Sequence, residues 1–355
     1  MSSPLKAITL NTHTSKLLAV AVAIGTTIAL TLVGACANAA GFQRGFAADP
    51  DGKPMEIGIW YPSEAAAEPV TMGPTTMSVA VNGLVQGKAL PLVVMSHGNG
   101  GSFLGHYDTA IALADAGFVV AAVTHTGDNY KDQSRATDVM DRPRQMSRVI
   151  DHMLSTWDGR GTIDASRIGM FGFSSGGFTT LASIGGIPDF STIGPMCRQY
   201  PGDFACQLIA KSGSGHVTAP PASAIALAAD PRIKAAVVAA PALGFTFAAD
   251  GLKDVKVPVQ LWRAEDDTVL PHPRYAEVVR LALPKTPQAP EASEYHVVPN
   301  AGHYDFLVPC SSALASIAPT ICSSAPGFDR AAFHASFNAA VVGFFSRAIG
   351  VGSRS

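Results

Sequence analysis

One stretch, Arg167-Ile168-Gly169-Met170-Phe171-Gly172-Phe173-Ser174-Ser175-Gly176-Gly177, constrains this chain more than any other. A short apolar run leads into a glycine-serine turn, and a helix-forming segment begins at Ser175. Gly172, Ser174 and Gly176 fit G-x-S-x-G, which between a strand and a helix sets the serine on a sharp, strained corner with its hydroxyl above the sheet. Glycines suit such a corner, because bulk there would strike neighbouring backbone as the chain reverses. A plain Gly/Ser loop is the bland alternative, and the strand directly before the turn disfavours it. Ser175 is a poorer centre, since glycine would then be needed at Phe173.

The rest of the chain supplies the layers around that corner. Pro91-Leu92-Val93-Val94-Met95 and Phe118-Val119-Val120-Ala121-Ala122-Val123 are continuously apolar, as strands buried on both faces are. Met55-Glu56-Ile57-Gly58-Ile59-Trp60-Tyr61 reads as a strand, and further strands are expected at 235–239, 257–262 and 295–299. Helices are expected at 104–116, from Ser175, and at 141–156, where Met146, Val149, Ile150, Met153 and Leu154 have helical spacing. A last helix falls near 328–348. Strands alternating with helices predict an α/β fold, a mostly parallel central sheet with helices on both faces. Residues 187–230 break the alternation, being rich in Pro, Gly, Ser and Ala, and read as an irregular insertion near the active site. Residues 40–355 form a single domain on this reading, with no internal repeat.

A serine hydroxyl is a weak nucleophile until a base takes its proton and a third group orients the base. On a fold of this kind the partners follow in the order serine, acid, histidine, each on a loop after a later strand. Strand 257–262 runs into Arg263-Ala264-Glu265-Asp266-Asp267-Thr268-Val269-Leu270-Pro271, and 295–299 runs into Asn300-Ala301-Gly302-His303. His303 is the expected base. The acid is one of Glu265, Asp266 and Asp267, and neighbours leaving a strand point to opposite sides, so only one faces the imidazole.

Other histidines fit less well. His13 precedes the domain, His216 lies in the insertion, and His334 falls in the last helix. His272 and His296 flank the active-site loops and read as surface or packing residues. His97, His106 and His125 precede the serine and suit pocket walls, as does Phe173 inside the motif. After strand 91–95 comes Ser96-His97-Gly98-Asn99-Gly100-Gly101. Such a loop lets backbone N–H groups approach an oxyanion, and the expected donors are Asn99 N–H and Ser175 N–H. A nucleotide-binding G-x-G-x-x-G fails here, because Phe103 occupies the third glycine position.

Together GFSSGG, LPLVVMSHGNGG, LWRAEDDTVLP and NAGHYDF resemble the α/β-hydrolase superfamily. Within it the chain is similar to bacterial predicted dienelactone hydrolases and platelet-activating-factor acetylhydrolase-like serine esterases. The likeness takes in IGIWYPS and HTGDNY and covers most of 41–348. It implies the α/β-hydrolase fold and cleavage of small-molecule or lipid-like carboxylic esters through an acyl-enzyme, with no metal and no organic cofactor. In that family the acid precedes a proline by four positions, which selects Asp267 ahead of Pro271. Dienelactone hydrolases proper use cysteine where this chain has Ser174, so a general esterase is the better expectation.

The first segment has a different job. Residues 1–16 carry Lys6 and Lys16 and no acid, and residues 17–35 carry no charge. Ala37-Asn38-Ala39 follows as an A-x-A site, so residues 1–39 read as an export signal. The run is also long enough for an uncleaved membrane anchor, though Thr26, Thr27 and Thr31 dilute it. Val33-Gly34-Ala35-Cys36 matches a lipoprotein box, which would attach the chain to a membrane through lipidated Cys36. The destination is periplasmic or secreted. Cys197, Cys206, Cys310 and Cys322 suit that destination as two disulfides, with closeness in sequence favouring Cys197–Cys206 and Cys310–Cys322. Zinc binding is disfavoured by the absence of a C-x-x-C pair. A formal charge of −2 leaves no basic excess for nucleic acid.

Two other functions compete. A peptidase or amidase uses the same residues, and a non-catalytic binding protein keeps the fold. The second is disfavoured because turn, acid loop and histidine loop are all present.

Overall fold

The structure, a computed structural model, describes residues 39–212, 228–248, 250–284 and 293–351. Most of the segment expected as an export signal, with Cys36, and His216 lie outside them. Ten strands are present among the described residues: β1 Gly41–Ala47, β2 Met55–Tyr61, β3 Glu68–Met72, β4 Thr75–Val81, β5 Leu90–Ser96, β6 Val119–Thr124, β7 Ile163–Phe173, β8 Ile233–Ala239, β9 Val259–Ala264 and β10 Ser293–Val298. They form one sheet in the order β10-β9-β8-β7-β5-β6-β2-β1-β4-β3. The run from β10 to β6 is parallel throughout, and β2 joins β6 antiparallel.

Parallel neighbours need crossovers, and helices make them. The early helices are α1 Tyr107–Asp115, α2 Asp141–Ser155, α3 Ser175–Ser183, α4 Ile193–Gln199 and α5 Phe204–Lys211. The later ones are α6 Ala276–Ala282, α7 Ser312–Ile317, α8 Pro319–Cys322 and α9 Arg330–Ile349. The apolar strands explain themselves once both faces are seen. Leu92 and Val94 of β5 enter a core with α2 and α3, whereas Val93 and Met95 enter the opposite core with α1 and α9. β6 splits the same way, with Val119, Ala121 and Val123 on one side and Val120 and Ala122 on the other. The central sheet is therefore covered on both faces, and the expected α/β-hydrolase fold is the one observed.

Two expectations need correcting. The insertion at 187–230 is not irregular along its length. A single turn at Phe190–Thr192 leads into α4 and α5, and residues 213–227 are outside the described set. Phe190, Ile193, Met196 and Ile209 bury into the α2–α3 core, and the Asp203 side chain caps α5, so local burial overrides the turn-rich composition. Strands β1, β3 and β4 were not anticipated; β3 is half-exposed and carries Pro69, which weakens its signal.

Both cysteine pairs are bonded as expected from closeness, Cys197–Cys206 joining α4 to α5 and Cys310–Cys322 closing the segment that holds α7 and α8. Among the described residues no helix is long and apolar enough to cross a membrane.

Candidate active site

Side chains of interest converge beyond the carboxyl ends of the parallel strands, where open α/β sheets place their crevice. Ser174 follows β7 directly and adopts φ 55° and ψ −117°, a conformation that costs a non-glycine residue on the order of 1–3 kcal/mol. Hydrogen bonds on both sides hold it there: Ser174 N–H donates to Ala239 O at 2.9 Å, and Ala242 N–H donates to Ser174 O at 2.9 Å. The flanking glycines are sterically required. A Cβ on Gly172 would stand 2.0 Å from Gly176 O, and one on Gly176 would stand 1.9 Å from Ser96 O.

The loops after β9 and β10 meet over this serine. Ser174 Oγ lies 3.0 Å from His303 Nε2, and His303 Nδ1 lies 2.8 Å from Asp267 Oδ2. Asp267 Oδ1 accepts Val269 N–H at 2.9 Å and Leu270 N–H at 2.7 Å, so the carboxylate is clamped by its own turn. With Oδ2 accepting from Nδ1–H, the remaining ring nitrogen is left to accept the serine proton. All three side chains are buried, whereas Glu265 and Asp266 are exposed. Those two serve the loops instead: Asp266 N–H donates to Ala301 O at 2.9 Å, and Glu265 Oε2 accepts Asn300 N–H at 3.2 Å. Phe173 packs its ring against the His303 imidazole, centroids 4.9 Å apart. Beside the acid loop lies a recess of about 360 Å³, bounded by Tyr200 and Asp203 of the insertion and by Val269 and Arg274.

Gly98 brings the loop after β5 against the serine, since a Cβ there would stand 3.2 Å from Ser174 Cβ. Ser175 N–H opens α3 and has no intrahelical acceptor, as helix-start donors do not. His97, within this loop, and His125, after β6, are both buried. His125 N–H donates to His97 Nε2 at 3.0 Å, which fixes the His97 proton on Nδ1, within 2.6 Å of Gly98 O. His125 lies between Gln145 Oε1 at 2.7 Å and Ser96 Oγ at 2.8 Å. Burial, aided by the nearby Arg142 cation, drives both imidazoles well below the ordinary histidine value, so both are neutral.

Sequence reasoning missed Arg142 and Asp128. They form a buried ion pair, Arg142 Nη2 to Asp128 Oδ2 at 3.0 Å, directly behind Gly98 and Asn99. The signal available was the HTGDNY stretch, in which Asp128 sits, though nothing there pointed to Arg142.

Comparison with known proteins adds three findings. Residues 65–144 match the family model of platelet-activating factor acetylhydrolase, isoform II. No curated protein matches the chain. Among solved structures, a ferulic acid esterase from Streptomyces cinnamoneus aligns with a TM-score of 0.56 at 20% identity, over 90% of this chain and 93% of that one. That alignment over nearly the whole of both chains, with the sheet order described above, shows that this chain has the α/β-hydrolase fold.

Proposed function

We propose that the chain is a serine hydrolase of carboxylic esters working through an acyl-enzyme. Ser174 Oγ attacks the ester carbonyl carbon as His303 Nε2 takes the hydroxyl proton. The carbonyl oxygen becomes an oxyanion, received by Asn99 N–H and Ser175 N–H. Collapse expels the alcohol, which takes the proton from His303, and leaves the acyl group on Ser174. Water then attacks the acyl carbonyl carbon as His303 accepts its proton, and collapse of this second intermediate breaks the bond to Ser174 Oγ, which takes the proton back from His303 as the acid leaves. Asp267 holds the imidazole in the required tautomer and stabilises the imidazolium.

The observation that carries this reading is the unbroken hydrogen-bonded chain from Ser174 Oγ through His303 to Asp267. Ester cleavage is favoured by the matched family model and by the esterase among the structural neighbours. Its substrates are small-molecule or lipid-like esters. Residues 40–355 act as one hydrolase domain, exported by residues 1–39 and either released after Ala39 or held by lipidated Cys36. The two disulfides support an oxidising destination.

The test is Ser174→Ala. It abolishes fluorophosphonate labelling and lowers kcat on 4-nitrophenyl esters by about 10⁶, the loss measured for the nucleophile of a serine protease. Retained labelling would move the nucleophile to another serine, Ser175 first. An ester compared with its matching anilide separates esterase from amidase.

A further inference from the structure

We propose that the buried Arg142–Asp128 pair positions the oxyanion hole, by fixing the peptide plane that carries Asn99 N–H. The proposal rests on the serine-hydrolase reading above. Both side chains are almost fully buried, 3% and 4% exposed. Removing two charges from water costs several kcal/mol per ion, and an apolar pair of similar volume would often serve stability as well. What an apolar pair lacks is directional hydrogen bonding, and here the directions all converge on one loop.

Arg142 Nη1 donates to His97 O at 2.7 Å and Nη2 donates to Gly98 O at 3.3 Å, two successive carbonyls of the loop. Gly98 O also accepts Gly101 N–H at 3.1 Å and lies 2.6 Å from the protonated His97 Nδ1. A trans peptide is planar, with its N–H opposite its C=O. Holding Gly98 O toward Arg142 therefore aims Asn99 N–H the other way. Asp128 secures the far side: its Oδ1 accepts Asn99 Nδ2 at 2.7 Å and Gly100 N–H at 2.9 Å, while Oδ2 accepts Arg142 Nε at 3.1 Å. Asn99 N–H is not among the anchored groups, and every anchor limits its swing. Donors crowded on Gly98 O also polarise that peptide, which strengthens its N–H as a donor. A structural tie between the β5 and β6 loops would need neither the two consecutive carbonyl contacts nor the Asn99 side chain.

The experiment uses Arg142→Lys and Asn99→Ala in the whole mature protein. Lysine keeps a cation for Asp128 but lacks the planar fork that reaches two carbonyls and a carboxylate together. Asn99→Ala keeps the backbone N–H, loses the tether to Asp128, and leaves the buried ion pair intact, so it decides the matter if the lysine variant fails to fold. Deleting an oxyanion donor outright costs about 10²–10³ in kcat, so a misaimed one costs less, about 10- to 100-fold in Arg142→Lys. KM should stay within about twofold, because the loss falls on the transition state. Affinity for phenylboronic acid, whose tetrahedral adduct on Ser174 places an oxygen in the hole, should fall by the same factor as kcat. Asn99→Ala should move in the same direction by a smaller factor. Wild-type kcat in both variants, a rise in KM with kcat intact, or unchanged boronate affinity overturns the proposal. Ser174→Ala that still labels overturns this proposal together with the serine-hydrolase reading. Lost labelling there, beside unaffected Arg142 and Asn99 variants, overturns this one alone.

Discussion

Asp266 and Asp267 are adjacent in sequence and opposite in environment. Asp267 has one oxygen on the His303 imidazole and the other on two backbone N–H groups, whereas the Asp266 carboxylate is exposed. Asp267→Asn keeps the shape of the acid but lets an amide face Nδ1, which favours the wrong histidine tautomer. The expected cost is up to about 10⁴ in kcat, the figure for the equivalent change in a serine protease, with little change in Tm. Asp266→Asn should stay within about tenfold of wild type, since mutating an exposed carboxylate moves free energies by only about 0.5 kcal/mol. Exchanged phenotypes in steady-state assays would assign the acid to Asp266. Gly176 is bound by sterics rather than chemistry. In Gly176→Ala the new Cβ meets Ser96 O at 1.9 Å, backbone that cannot rotate away. The elbow and β5 must separate, at a cost at or above the ~1–3 kcal/mol usual for overpacking, read as a fall in Tm. A wild-type Tm would mean that β5 moves more freely than its burial indicates.

At the scale of elements, the two disulfides brace different parts. Cys197–Cys206 ties α4 to α5, while Cys310–Cys322 closes a segment whose backbone Arg330 reads, donating to Ile321 O at 2.9 Å and Ser323 O at 3.2 Å. Arg330 also holds Asp305 Oδ1 at 3.0 Å, and Asp305 Oδ2 accepts Gly302 N–H at 2.7 Å, next to His303. Sequence separations of 9 and 12 residues correspond to roughly 2.5–3 kcal/mol per bond on the chain-entropy account. Replacing either pair by serine should lower stability by that amount in urea titrations and leave kcat at 25 °C unchanged, because neither bridge touches Ser174, His303 or Asp267. A collapse of kcat with intact stability would put a bridge into the catalytic machinery. The parallel half of the sheet was legible in the sequence because strands such as β5 and β6 bury both faces and leave an uninterrupted apolar run. The outer wing of β1, β3 and β4 was not, since these partly solvated strands interrupt their apolar residues with Gln, Arg and Gly in β1, Glu, Pro and Thr in β3, and Thr and Ser in β4. The serine turn and the Asp267 loop were legible because each follows such a buried strand, whereas the His303 loop follows β10, a half-buried edge strand, and was found from the order of serine, acid and histidine along the chain. Arg142 was not, because a polar residue at the start of α2 reads as surface until its partner, fourteen positions away, is seen behind the same loop.

The whole molecule is set up to lose stability in mild acid through its histidines before its carboxylates matter. His97 and His125 are fully buried, and burial, with the Arg142 cation adding to it, holds both far below the ordinary value. His106 packs against the Phe171 and Phe173 rings at 5.0 and 5.3 Å, and burial lowers it from 6.5 to about 4, partly opposed by Asp108. In the unfolded chain these imidazoles gain protons as pH drops through 6.5, while the native protein keeps them neutral. The unfolded state then binds more protons, so unfolding becomes easier as pH falls. For His106 the loss runs from about 6.5 down to about 4, and for His97 and His125 it continues lower. Each histidine contributes a slope approaching about 1.4 kcal/mol per pH unit once well below 6.5. Thermal unfolding followed from pH 8 to pH 5 should show a plateau above about 7 and a steepening decline below it, in a range where exposed carboxylates scarcely titrate. His106→Leu, of similar volume and without a titrating group, should make the low-pH decline shallower while leaving the pH 8 plateau in place. A flat Tm across that range would mean that these imidazoles accept protons within the fold, and the neutral scaffold behind the loop after β5 would then have to be redrawn.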